Sequence, residues 1–219
     1  MSGRPPAYDY VKDPGEIYRR SFSIVRGEAA LAHLPAALHS AAVRIVHACG
    51  DPSVTRHLAW SEGVEQAVAN ALRAGAPVFT DVRMVAEGII ASRLPAGNEI
   101  RCTLNEPGVR DLAAKLGTTR SAAAAELWRD GLDGAVVVIG NAPTALFHLL
   151  EMIGAGGPRP AAILGFPVGF VGAAESKEAL AENPFAIPFL ALRGRLGGSA
   201  IAAAALNALA AGLPEEEIA

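Results

Sequence analysis

Residues 135–144, AVVVIGNAPT, contain the segment that decides the fold. The uninterrupted run from Ala135 to Ile139 is typical of a strand buried on both faces of a parallel sheet. Gly140 and Asn141 interrupt the run, and Pro143 is suited to the first turn of a helix. The stretch therefore predicts a strand, a turn and a helix, which is the repeating unit of an α/β protein.

The same alternation recurs along the rest of the chain. Further strands are predicted at 77–81, 99–104, 161–164 and 189–193. Helical patterns are predicted at 14–31, 35–49, 62–74, 82–92, 109–116, 120–128, 143–153, 175–181 and 198–211. We expect a three-layer α/β/α, Rossmann-like fold with a mostly parallel five-stranded sheet. No linker or repeat divides the 219 residues, so we expect one domain over 1–219 with ragged ends at 1–8 and 212–219.

Composition excludes several classes of protein. The chain is 51% hydrophobic and 19% charged with a net charge of −3, which excludes a disordered chain. Its 19 basic residues are outnumbered by 22 acidic ones, so nucleic acid is not an expected partner. Cys49 and Cys102 lie in unrelated segments, which favours a reducing cytoplasm and argues against a disulfide or a metal site. There is no apolar run of membrane-spanning length and no apolar leader, so we expect a soluble protein.

Polar residues and glycines follow several of the predicted strands. In sheets of this type ligands bind at the carboxyl ends of the strands, and free N–H groups at helix starts favour anions. The candidate binding residues at these ends are Thr80, Asp81, Asn141, Thr144, Lys177 and Ser199. Neither a P-loop nor a GxGxxG motif is present, and each turn taken alone is equally typical of simple chain reversal.

His47 is the candidate catalytic residue. Arg44 precedes it by three residues, so the two side chains share a helix face. Because Gly50 is expected to end the helix, His47 lies in the last turn, where the helix dipole favours a protonated imidazole. Such a histidine can donate a proton near neutral pH, although a surface or capping histidine fits the same position. His33, His39, His57 and His148 lack a comparable partner.

Two other helices add polar candidates for binding. Tyr18 and Ser21 share one face of the first helix. Arg120 and Ser121 begin another helix. A cation at a helix N-terminus opposes the helix dipole, and a bound anion near Arg120 would account for its position. A simpler interpretation is that Arg120 is a solvated surface charge.

Seven ordered blocks resemble the precorrin-8X methylmutase (precorrin isomerase) family, over about residues 8–209. The blocks are Ile17-Tyr18 with Ser21-Phe22; Val43–His47 ending at Gly50-Asp51; Thr80-Asp81 with Met84-Val85; Thr119–Ala123; Ile139–Leu146; Pro167–Val171 continuing through Glu175–Lys177; and Arg193–Ser199. Departures from the family pattern are confined to Met1–Ala7 and the acidic residues Glu215–Glu217.

The resemblance implies an isomerase of cobalamin biosynthesis that moves a methyl group from C11 to C12 of precorrin-8X and yields hydrogenobyrinic acid. The family's acid catalyst matches His47, and no cofactor, metal or external methyl donor is implied. The resemblance also implies a homodimer with the tetrapyrrole at the subunit boundary. Arg44, Arg120, Ser21 and Lys177 are candidates for the substrate carboxylates, and Ala142, Gly169 and Gly198 for leaving room for a flat macrocycle.

Two other functions remain open from the residues alone. One is a small-molecule transferase that binds a nucleotide or phosphate at the glycine-rich helix starts. The other is a non-catalytic corrinoid carrier.

Overall fold

The computed structural model describes residues 8–182 and 184–213. Its α-helices are α1 (Pro14–Glu28), α2 (His39–Cys49), α3 (Val64–Arg73), α4 (Arg83–Gly88), α5 (Val109–Leu116), α6 (Arg120–Glu126), α7 (Pro143–Gly154), α8 (Ala173–Glu182) and α9 (Ser199–Ala211). Its strands are β1 (Leu58–Trp60), β2 (Val78–Thr80), β3 (Ile100–Arg101), β4 (Val136–Ile139), β5 (Ala162–Gly165) and β6 (Phe189–Leu192). Most of the expected ragged ends, 1–8 and 212–219, lies outside these residues.

The six strands form one mixed sheet in the order β1-β6-β5-β4-β2-β3. All neighbouring pairs are parallel except β1 with β6. The α/β fold with a mostly parallel sheet is therefore confirmed, but the expected count of five strands is one too few. The strand that the sequence did not reveal is β1, which has three residues and is defined by its pairing with β6.

Both faces of the sheet are buried. Val136 and Val138 of β4 belong to a core packed under α1, α2, α3, α4 and α9, whereas Val137 and Ile139 belong to a second core under α7 and α8. Every residue of β4 is buried, as the apolar run predicted. Helix α9 lies centrally, in contact with α2, α3 and α4 as well as with β4 and β5.

The strand order reverses between β2 and β4. The chain passes from β2 outward to β3 and then returns to β4 on the other side of β2. Such a switch point opens a crevice at the carboxyl ends of the strands. The crevice is tight here, because a Cβ on Gly140 would lie 2.6 Å from Cγ2 of Val85 and 2.8 Å from Cα of Ser199.

In the described part of the chain, no helix is both apolar and long enough to cross a bilayer.

Candidate active site

Helices α1 and α2 place four of the candidate residues together. α1 begins at Pro14 with Asp13 as its N-cap, and α2 ends at Gly50 in the left-handed conformation, as their sequences predicted. The two helices pack against each other through Phe22 and Val25 of α1. This packing brings Tyr18, Ser21, Arg44 and His47 to one surface of the protein.

His47 is oriented by a hydroxyl and two aromatic rings. Its Nδ1 lies 2.8 Å from Oγ of Ser21. The ring centroid of Phe22 lies 5.0 Å away in an edge-on arrangement, and that of Tyr18 lies 5.7 Å away. When the imidazole is protonated, Nδ1–H donates to Ser21 and leaves Nε2–H as the available proton.

The pKa of His47 is lowered from its ordinary value of 6.5, first by burial and second by the nearby positive charge of Arg44. The helix dipole predicted a shift in the other direction. His47 remains an exposed residue, but its ring has lost part of its surrounding water and the guanidinium of Arg44 lies one turn away. The protonated form is therefore a stronger acid than free imidazolium.

His47 lines two adjoining cavities of about 200 and 260 Å³. The larger one is bounded by Tyr18, Arg44, His47 and Ala48 on one side and by Ala200, Ala203 and Ala204 of α9 on the other, with Gly88 and Asn207 at its end. The small residues beside the imidazole are thus these alanines and Gly88. The residues that sequence reasoning selected for this purpose, Ala142, Gly169 and Gly198, are not among them.

Arg44 lies against this cavity and is itself only 9% exposed. A guanidinium in such surroundings binds a carboxylate more strongly than one in water does.

Asp81, a predicted binding residue, bonds backbone groups of the protein itself. It is buried, and its carboxylate accepts hydrogen bonds from the backbone N–H groups of Gly140, Asn141 and Ala142 at 2.7–2.9 Å. Burial raises its pKa, while the three donors favour the ionised form. The carboxylate therefore joins the end of β2 to the start of α7 across the switch point.

This bond pattern bears on the phosphate-binding alternative. The N–H groups before α7 already face a carboxylate, which repels a second anion. At the start of α9, the N–H of Gly198 donates to the carbonyl of Phe166 at 2.9 Å, and Ser199 is buried against Gly140. The N–H groups of Gly140, Asn141 and Ala142 are therefore not available to a phosphate, which counts against the nucleotide hypothesis at the start of α7.

Thr80 and Lys177 also lie inside the protein. The Thr80 hydroxyl donates to the carbonyl of Arg101 at 3.4 Å. Lys177 is fully buried, its ammonium group donates to the carbonyl of Leu196 at 2.5 Å, and burial lowers its pKa to about 8. Lys177 therefore holds the loop before α9, and a substrate carboxylate does not reach it in this conformation.

The remaining candidates lie at the ends of β4 and α6. Thr144 is bonded to Thr119, with 2.8 Å between the two hydroxyl oxygens, and Thr119 also caps α6. Arg120 is exposed and lines a separate cavity of about 370 Å³ beside the 104–111 loop. Asn141 is exposed and Ser121 is half-buried. This second group is not in the cavity that His47 lines.

Three of the other histidines are bonded to nearby protein groups. His33 is bonded to the carbonyl of Thr55, His39 to the carbonyl of Leu34, and His148 to the carboxylate of Glu126.

Sequence reasoning missed Gly88, Asn207 and the α9 alanines. The alanine run at 202–205 is the sequence feature that indicates a helix face of small side chains. Whether that face lines a cavity depends on which helices pack beside it.

The chain is similar to known proteins over most of its length. A family model described as precorrin-8X methylmutase matches residues 16–211. The precorrin-8X methylmutase of Pseudomonas aeruginosa is 60% identical over 92% of this chain and 97% of its own. The cobalt-precorrin-8 methylmutase of Methanothermobacter thermautotrophicus is 40% identical over 93% and 95%. A crystal structure of precorrin-8X methylmutase from Thermus thermophilus superposes with a TM-score of 0.80 at 40% identity, covering 89% of this chain and 93% of that one.

Proposed function

The chain belongs to the precorrin-8X methylmutase family, and from that premise we propose that His47 is the acid that drives a methyl shift from C11 to C12 of a bound tetrapyrrole. The family makes the protein an isomerase of cobalamin biosynthesis. The observation that carries the assignment of His47 is its position at an alanine-lined cavity, oriented by Ser21 and flanked by Arg44.

The residues divide the work of an internal methyl shift among them. The reaction is an isomerisation, so a proton delivered to the macrocycle has to leave again, and an imidazole of lowered pKa both gives and accepts a proton readily. Ser21 holds the Nδ1 edge, which directs Nε2 to the substrate. Arg44 pairs with a substrate carboxylate, while the alanine face of α9 supports a flat ring and keeps water away.

We propose the metal-free tetrapyrrole as the substrate. The chain is 60% identical to a relative named for precorrin-8X and 40% identical to one named for cobalt-precorrin-8. This difference in similarity supports the metal-free form, precorrin-8X, with hydrogenobyrinic acid as the product.

We also propose that the protein acts as a homodimer, with one catalytic domain per chain, in the cytoplasm. The cavities beside His47, of about 200 and 260 Å³, are smaller than the roughly 300–1,000 Å³ that ligand pockets usually offer, so a second surface is needed to enclose a macrocycle. Val168, Phe170, Val171 and Leu196 form an exposed apolar surface near the carboxyl ends of β5 and β6, which we call the 168–196 surface. Both cysteines are free thiols, as a reducing compartment requires.

The test replaces the proton donor without removing a hydrogen-bonding side chain. We expect His47→Gln to lower kcat for precorrin-8X by about 10²–10⁴-fold, the contribution typical of a general acid. The affinity for hydrogenobyrinic acid should change by less than about threefold, because glutamine still offers a hydrogen-bonding side chain. A threefold change is smaller than the loss of one hydrogen bond. Both quantities are measured by the absorbance change of the pigment, with cobalt-precorrin-8 as a second substrate.

His39→Gln is the matched control, because His39 is bonded to a backbone carbonyl away from the cavity. It should leave kcat unchanged. Full turnover by His47→Gln would remove this histidine from the mechanism, and faster turnover of the cobalt form would contradict the substrate assignment.

A further inference from the structure

Asn207 connects α4 and α9, two of the helices that line the larger His47 cavity. Its side chain is only 4% exposed. Its Oδ1 accepts a hydrogen bond from the backbone N–H of Ile90 at 2.9 Å, and its Nδ2 donates to the carbonyl of Gly88 at 3.0 Å. One side chain of α9 therefore bonds the carbonyl of the last residue of α4 and the N–H two residues beyond it.

The helices approach closely at the same place. A Cβ added to Gly88 would lie 2.8 Å from Cβ of Ala203, a distance that real Cβ atoms do not show. The backbone of α4 therefore rests directly on α9. Gly88, Ala203 and Asn207 all line the cavity that His47 also lines.

These contacts set the width of the cavity. Helix α4 also begins just after Asp81, which is bonded across the switch point to the residues before α7. The start of α4 is thus fixed to the sheet, and Asn207 fixes its end to α9. Farther along the chain, Arg93 also donates to the carbonyls of Ala211 and Gly212 at 2.9 and 3.0 Å. Of these polar links between the 88–93 segment and α9, the Asn207 bonds are the ones at the cavity that His47 lines.

We propose that Asn207 is a positioning residue for the methyl shift: with Gly88, it holds the wall of the cavity at the distance that presents the bound macrocycle to His47. This inference rests on the proposed function of His47. It assigns Asn207 no contact with reacting atoms and no part in proton transfer. Its action passes through the backbone of 88–90.

A buried asparagine elsewhere in the fold provides a control of the same chemistry. Asn98 is 6% exposed, donates to the carbonyls of Leu72 and Ala76 at 2.8 Å, and accepts from the N–H of Ala96 at 3.3 Å. Like Asn207 it bonds only backbone in these contacts, but it lies outside both His47 cavities.

The first experiment compares Asn207→Leu with Asn98→Leu. Each change removes a buried amide and adds no charge, so both should lower the melting temperature. We expect only Asn207→Leu to lower kcat, by about 100-fold, because a displacement of about 1 Å at a reacting centre has an effect of that size. Its KM should stay within about threefold of the wild-type value, since Arg44 and the other binding groups are retained.

A second pair of variants leaves the amide of Asn207 in place. Gly88→Ala forces α4 away from α9 and should reproduce the fall in kcat. Adding Ala203→Gly to Gly88→Ala removes the opposing Cβ and should restore at least part of the lost rate. This pair decides the question if Asn207→Leu does not fold.

Three outcomes are possible once the wild-type protein is assayed. A fall in kcat in Asn207→Leu and Gly88→Ala, with rescue by Ala203→Gly, supports the inference. A melting temperature lowered in both asparagine variants, with kcat unchanged in Asn207→Leu and Gly88→Ala, overturns it and leaves the role of His47 intact. Wild-type protein that binds hydrogenobyrinic acid but does not convert precorrin-8X overturns the proposed function itself, and this inference with it.

Discussion

At the scale of single residues, the site depends on the pairing of a guanidinium with an imidazole. Burial lowers the pKa of His47, and the positive charge of Arg44 lowers it further, because the two groups repel each other when both are charged. A substrate carboxylate bound to Arg44 would cancel much of that repulsion. Substrate binding would then favour protonation of His47 at the moment when the proton is needed.

This coupling predicts the effect of removing the guanidinium. Arg44→Met should raise the pKa of His47 toward 6.5, because one of the two causes of its lowering is gone while burial remains. The measurement is an NMR titration of the imidazole in histidine-labelled protein, with His47→Gln to assign the signal. An unchanged or lower pKa in Arg44→Met would show that Arg44 does not act on His47 electrostatically.

The same shift has a consequence for stability. Since the folded-state pKa of His47 lies below its unfolded value, the unfolded chain takes up the proton first as the pH falls. The His47 contribution to stability is therefore complete above pH 6.5 and is lost as the pH falls through the folded-state pKa. Replacement of His47 should therefore make the free energy of unfolding fall less as the pH is lowered below 6.5.

Sequence reasoning at this scale succeeded for local relationships. The three-residue spacing of Arg44 and His47, and the end of α2 at Gly50, follow from helix geometry alone. The direction of the pKa shift did not follow, because it depends on how far Tyr18 and Phe22 of α1 cover the imidazole, and α1 is distant in sequence.

At the scale of elements, Asp81 is the clearest case of a role that only the fold reveals. It lies 59–61 residues before the N–H groups that it accepts from, and no local pattern connects them. The sequence identified Asp81 as a polar residue at a strand end, and the structure uses it as the cap that joins β2 to the start of α7.

Asp81→Asn should therefore be strongly destabilising. An amide keeps one acceptor oxygen but turns an NH₂ group toward backbone N–H donors, so at least one buried donor loses its partner. We expect the free energy of unfolding in urea to fall by about 3 kcal/mol, the scale of one or two hydrogen bonds to a charged group. Asp13→Asn is the control: it changes the exposed N-cap of α1 in the same way, and asparagine is as good an N-cap as aspartate. Equal effects of the two changes would mean that the Asp81 bonds contribute little.

Element boundaries show the same division between local and distant causes. Helix α5 has the predicted limits because its ends are glycines at 108 and 117, both in the left-handed conformation. Helix α4 ends at Gly88, whereas the pattern predicted a helix to 92. Ile89 is already extended, and Asn207 of α9 accepts the N–H of Ile90 in place of a helical carbonyl.

At the scale of the whole molecule, charge gives little help in attracting a polyanionic substrate. The net charge is −3, so attraction has to come from local cations such as Arg44 and Arg120. A partner subunit that covers the half-buried site would make this local attraction stronger, because it would exclude water and strengthen each ion pair with the substrate.

The 168–196 surface provides the test of the assembly. Phe170 is 83% and Val171 is 89% exposed, an unusual degree of exposure for adjacent large apolar residues. We expect the wild-type protein to sediment at twice its 22.5 kDa chain mass and the double variant Phe170→Asp/Val171→Asp to sediment at the chain mass. Leu116→Asp, at an exposed apolar residue at the end of α5, should leave the dimer intact.

The double variant should also lose affinity for hydrogenobyrinic acid if the partner completes the cavity beside His47. A wild-type protein of single chain mass that still binds the product tightly would show instead that one subunit encloses the macrocycle, by a movement of α1 or α9 that widens the space between them.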